Sequence, residues 1–174
     1  MLSGTFFYPV RSQWSDLHTY FFVGLFVMGN LVLPQLCHLV PSGGPMFLPI
    51  YFFTLIASYK FGFKVGIATA ILSPLLNSVL FGMPPAEILP IILIKSTLLV
   101  LIAIYVVSTC KKLSLFHLSF VVIAYQVYGS VIEWIITQNF GAATADFTIG
   151  VPGMVIQVLG GYWLLKKLAL YDRR

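Results

Sequence analysis

Apolar residues fill this chain in long runs, and polar residues collect at a few points between them: "MLSGTFFYPVRSQWSD" at the start, "VPSGGP" at 40–45, "YKFGFK" at 59–64, "GMPPAE" at 82–87, "CKK" at 110–112 and "NFGAATAD" at 139–146. A helix needs about 20 apolar residues to cross the hydrocarbon layer. Broken at these points, the pattern predicts six crossings near 17–40, 46–61, 63–82, 86–109, 114–138 and 147–168. An even number of crossings puts both termini on one side. Nine basic residues, Arg11, Lys60, Lys64, Lys111, Lys112, Lys166, Lys167, Arg173 and Arg174, fall on that same side, which the positive-inside bias makes cytoplasmic. The other face carries only Glu87 and Asp146 in its loops and reads as external. The expected fold is therefore an all-α integral membrane protein with six transmembrane helices and both termini cytoplasmic. Residues 1–174 form a single membrane domain, and residues 1–16 are retained as an interfacial segment.

Composition agrees with this reading and narrows the function. Hydrophobic residues make up 59% and charged ones 9%, with a mean hydropathy of +0.97, against roughly 25% charged in a soluble domain. The net charge of +5 comes from basic pairs between apolar runs rather than a continuous stripe, so it reports topology and implies no nucleic-acid partner. Cys37 and Cys110 fall on opposite sides of the bilayer, beyond the ~7 Å Cα separation a disulfide tolerates. The chain has no G-x-S-x-G, H-E-x-x-H, C-x-x-C or Walker loop. The expectation is a transport protein rather than an enzyme, with no cofactor or metal, and with any ATP used by a partner.

Lys95 is the tenth basic residue and stands inside the fourth predicted helix, in "PIILIKSTLLV". At about 1.5 Å per residue it lies roughly 13 Å below the outer surface, and Glu133 on the fifth helix about 8–10 Å below it. Asn30 and Gln35 on the first helix, Asn77 on the third and Gln157 on the sixth share that outer slab, at about 8–15 Å. The i, i+3, i+4, i+7 stripe Gln126, Gly129, Ser130 and Glu133 turns one polar face of the fifth helix inward; Gly66, Ala70, Ser73 and Asn77 repeat this on the third, and Gly150, Gly153, Gln157 and Gly160 on the sixth. Together these faces describe a cavity on the outer side, above dry inner halves such as "LLVLIAIYVV". Each feature has a plainer counterpart. Asn30, Gln35 and Ser73 serve equally as interhelical glue, and the glycines as packing. Lys95 and Glu133 either contact a ligand or pair with each other, because a charge in hydrocarbon costs at least ~2.5 kcal/mol and needs a reason. Tyr125, Tyr128, Trp134 and Trp163 suit packing or an interfacial belt, with Tyr128 and Trp134 also candidates to stack on a ligand. With the positive ends of two helix dipoles facing the pocket mouth above Lys95, the expected ligand carries an acidic group.

In size, six spans, and the central stretch "GGPMFLPIYFFTLIASYKFGFKVGIATAILSPLLNSVLFGMPP", the chain resembles the substrate-binding S components of energy-coupling factor (ECF) vitamin transporters. The shared features are a Pro-containing second helix (Pro49), a tight basic turn, and a Gly/Ala-rich third helix at "GIATA", within a likeness that runs over about residues 20–168. The resemblance implies a prokaryotic inner-membrane protein that captures a small vitamin-like metabolite from outside. Its implied partners are a transmembrane T component and two ATP-binding-cassette ATPases. The substrate-binding residues expected are Lys95, Glu133, Asn77, Gln157, Gln126, Ser130, Asn30, Tyr128 and Trp134. Where the family carries Ala-x-x-x-Ala on the first helix for docking, this chain has Gly24 and Gly29. Two other classes remain open: an ion- or proton-coupled carrier using Lys95 and Glu133 as a relay, and an intramembrane enzyme.

Overall fold

The computed structural model describes residues 5–6, 14 and 16–171; Arg11, Arg173 and Arg174 lie outside them. Apart from one pair of two-residue strands, β1 (Thr5–Phe6) and β2 (Lys112–Leu113), the described chain is helical. The long helices are α1 (Leu17–Cys37), α3 (Phe52–Phe81), α4 (Leu89–Cys110), α5 (Leu115–Thr137) and α8 (Val151–Tyr171); α2 (Gly43–Phe47), α6 (Phe140–Ala143) and α7 (Ala145–Thr148) are short. Among the described residues, four helical stretches are long and apolar enough to cross a membrane, at Leu17–Cys37, Gly43–Phe81, Leu89–Cys110 and Leu115–Thr137. The protein is a membrane-embedded, multi-pass helical protein. Gln157 and the Lys166–Lys167 pair make α8 less apolar, and it is not among the four.

The stretch Phe52–Phe81 is a hairpin rather than a rod. At Gly62 the backbone leaves the helix with φ 80° and ψ −166°, a conformation essentially confined to glycine. Asn30 Nδ2 donates to both Thr54 Oγ1 (3.0 Å) and Ser73 Oγ (3.1 Å), which an unbroken helix would hold about 28 Å apart. A Cβ on Gly66 would come within 2.6 Å of Ser58 Oγ, so the second arm lies directly against the first. The boundary predicted within "YKFGFK" is therefore the fold-back point. Lys60, which the sequence places at the end of the second helix, is buried at 4% exposure.

The first arm is the centre of the bundle. Every residue from Thr54 to Phe61 is buried, the polar Thr54, Ser58 and Lys60 included. The hairpin packs on α1 and α4, α4 packs on α5, α5 on α8, and α8 returns to the hairpin. The buried faces follow helical spacing: Leu118, Val121, Val122, Tyr125, Gln126, Gly129, Ser130 and Glu133 on α5, and Gly153, Gln157, Gly161, Leu165 and Ala169 on α8. Where the sequence predicts one helix from 46, residues 43–51 form a short helix and a 3-10 turn (Pro49–Tyr51), joined at Leu48 in the left-handed region (φ 47°). Pro45 and Pro49 lack the N–H groups a continuous helix needs. Such irregular backbone is tolerated at membrane depth only where protein or a cavity surrounds it. Here α8 supplies the cover: a Cβ on Gly153 would lie 2.4 Å from the Phe47 carbonyl, so only glycine lets α8 approach this segment.

Candidate functional site: a charged cavity at one end of the bundle

A cavity of about 270 Å³ opens where α1, the hairpin and α5 end and α4 begins. It is lined by Pro34 and His38 from α1, by Gly44, Pro45 and Leu48–Tyr51 from the irregular segment, by Asn77, by Met83–Pro85 and Ile88 from the next turn, and by Ile91, Ile92, Lys95, Glu133 and Asp146. Its opposite pole in the bundle is the end bearing the Gly62 turn and Lys111–Lys112, where Tyr59 donates to the Lys112 carbonyl (2.9 Å). Between the two, Leu55, Leu99, Val100, Ala103, Leu118, Val121 and Tyr125 have 0% exposure. Packed side chains close the floor of the cavity.

Three charges meet in its wall. Lys95 Nζ donates to Glu133 Oε2 at 2.5 Å and to Asp146 Oδ2 at 2.9 Å. Lys95 and Glu133 are buried, at 4% and 9% exposure. The sequence places them at one depth; the structure adds how they meet. A Cβ on Gly129 would sit 2.6 Å from Lys95 Cγ, so the bare backbone of α5 is the groove in which the lysine stem lies on its way to Glu133, one turn further along. Asp146 arrives from the connection between α5 and α8. There Gln138 adopts a left-handed conformation (φ 54°), Asn139 Oδ1 accepts from Ala142 N–H (3.0 Å) to start α6, and α7 follows with Asp146 in its first turn.

Asp146 was legible only as one of two outer-loop acids, and its partnership with Lys95 was missed. The available signal was a charge count, since one buried carboxylate rarely satisfies the three donors of an ammonium. Tyr51, Leu48 and the proline-rich lining are not found from the sequence either, because residues 46–51 read as the start of a helix and 40–45 as an external loop.

The remaining expected site residues divide by position. Asn77 lines the cavity; its Nδ2 donates to the carbonyls of Asn30 (2.8 Å) and Ser73 (2.9 Å), and its Oδ1 is buried without a partner. Asn30 is fully buried away from the cavity lining and ties α1 to both hairpin arms. Gln157 is also fully buried: its Oε1 accepts from Tyr125 Oη (2.9 Å), and its Nε2 stands 3.5 Å from the Leu48 carbonyl. Gln126 and Ser130 lie in the α5 core face, where the Gln126 amide and Ser130 Oγ have no partner, and neither lines the cavity. Gln35 is half-buried and outside the lining.

Tyr128 and Trp134 lie on the outside of the bundle, at 61% and 48% exposure. Each is one residue from the inward stripe and so turned about 100° from it. Trp134 instead meets Phe140 edge to face, with ring centroids 5.7 Å apart. Gly24 and Gly29 do not share a face: Gly24 is open, whereas a Cβ on Gly29 would meet the Phe53 ring at 2.8 Å. Five residues on a helix turn through about 500°, leaving the two about 140° apart. Cys37 and Cys110 are free.

Comparison of the chain with protein-family models, with curated proteins and with solved structures finds no match in any of the three.

Proposed function

We propose that this protein captures a small vitamin-like metabolite at the outer face of a prokaryotic inner membrane, as an ECF-type S component does, and depends on a T component and two ATPases for uptake. In this reading the chain crosses six times, the two hairpin arms and α8 counting with α1, α4 and α5, and both termini are cytoplasmic. The observation that carries it is a cavity at the pole away from the basic turns, with a charged wall and a closed floor. Small-molecule sites are concave and mostly apolar with a few convergent polar groups, and the lining residues fit that description. The floor below the cavity is closed by fully buried, mostly apolar side chains, which favours capture over conduction. Of the residues expected to bind substrate, Lys95, Glu133 and Asn77 hold that role; Asn30 and Gln157 support the walls.

Docking through a Gly24–Gly29 face is not retained, because Gly29 is occupied by Phe53. The experiment is reconstitution. Small molecules that copurify with the chain are identified by mass spectrometry and offered to liposomes. The chain alone should bind but not accumulate them, and accumulation should appear with the T component, the ATPases and ATP. Accumulation by the chain alone under an ion gradient would overturn the reading in favour of a carrier with Lys95 and Glu133 as its relay.

A further inference from the structure

We propose that the cavity takes a small organic cation, an amine or amidine group on an apolar body, rather than the acidic ligand expected from Lys95 and two helix dipoles. The inference rests on the cavity being the ligand site. With histidine counted as neutral, the charged residues lining it are Lys95, Glu133 and Asp146, whose formal charges sum to −1. The ammonium already spends one donor on each acid. A cationic ligand brings the wall to neutrality inside a low-dielectric surround, whereas a carboxylate ligand would bring it to −2.

The hydrogen-bonding surplus has the same sign. Each carboxylate accepts at several positions, and only one oxygen of each is engaged by Lys95. Asn77 borders the cavity, but its unpartnered Oδ1 is enclosed; the Glu133 and Asp146 side chains keep 11% and 16% exposure and are the acceptors open to a ligand. A ligand rich in N–H donors matches this wall. The rest of the lining, including Pro34, Pro45, Leu48, Ile91 and Ile92, is apolar and suits a hydrocarbon or aromatic body.

The test uses the purified full chain in lipid nanodiscs. It is dialysed to equilibrium against a defined mixture of small amines and amidines, each with a size-matched alcohol and carboxylate, and retained compounds are quantified by mass spectrometry. At least one cation should be retained at least tenfold over its neutral and acidic counterparts. Asp146→Asn and Glu133→Gln should each lower that retention about tenfold or more, and Asp146→Glu should keep most of it. Preferential retention of a carboxylate, no retained cation, or cation retention unchanged in both neutralised variants would each overturn the proposal. Because the readout is binding by the isolated chain, failure of ATP-driven uptake would count against the proposed function and leave this result standing.

Discussion

The cluster around Asn30 and the cluster around Lys95 both bury polar side chains among apolar helices near the same end of the bundle, yet they are built on different terms. Around Asn30 the groups are neutral: its amide bridges Thr54 and Ser73, and Asn77 reaches back to its carbonyl. The result is a weld between α1 and both arms of the hairpin. Around Lys95 the groups are charged, they join α4 to α5 and to the α5–α8 connection, and all three border open space. A weld gains nothing from charge, since removing ions from water costs more than the pairing usually returns. A charged cluster left open to a cavity is better placed to meet something that enters it.

The largest effect should come from splitting the charged cluster. Lys95→Ala leaves two carboxylates uncompensated in the bundle, and losing one partner of a buried pair costs about 3–5 kcal/mol. Thermal unfolding in detergent should show that loss, and a cation retained in dialysis should raise the melting temperature of this variant more than that of the native chain. Equal stability of Lys95→Ala and native protein would mean the acids are not held by the lysine.

Next comes the weld. Asn30→Leu removes both donors and crowds the α1–hairpin contact; at about 0.6 kcal/mol per interhelical hydrogen bond, with up to about 1.7 for the best, a loss of about 1–3 kcal/mol is expected. Ligand retention per folded molecule should change little. A retention loss as large as that of Asp146→Asn would erase the distinction between the clusters.

A smaller effect tests the groove for the lysine stem. Gly129→Ala places a methyl group where Lys95 Cγ runs, and overpacking of this kind costs about 1–3 kcal/mol. Because the lysine can shift along its flexible stem, the low end is expected, about 1 kcal/mol, with a measurable weakening of cation retention. Smallest of all, Tyr128→Ala and Trp134→Ala should stay within about 0.5 kcal/mol of native and leave retention intact, as for exposed positions generally.

Helix ends and the depth of the polar residues were readable because both follow from one-dimensional spacing. Charges and Pro/Gly clusters interrupt the apolar runs, the Gly62 fold-back falls inside "YKFGFK", and Lys95 and Glu133 are found at one level. What depth cannot supply is azimuth across helices. Asn30 and Asn77 are neighbours in the slab, but only the packed hairpin shows that one faces the weld and the other the cavity as well. Tyr128 and Trp134 are each a single step off the inward stripe, which suffices to turn them out of the bundle. Asp146 escaped for a different reason. Its position depends on the left-handed turn at Gln138 and on two one-turn helices, a path with no periodic signature. The expectation of an acidic ligand rests on two helix dipoles and Lys95, a count that leaves Asp146 out.

The most direct measurement of the contrast between weld and binding wall is made on the triple variant Lys95→Met, Glu133→Gln, Asp146→Asn. Removing all three charges together avoids the unpaired ion that destabilises each single variant, so the melting temperature should lie close to native or above it. Retention of the cation selected by dialysis should nonetheless fall at least a hundredfold, about 2.8 kcal/mol at 1.4 kcal/mol per decade. Native-like retention by the stable triple variant would contradict the account and make the charged cluster a second weld.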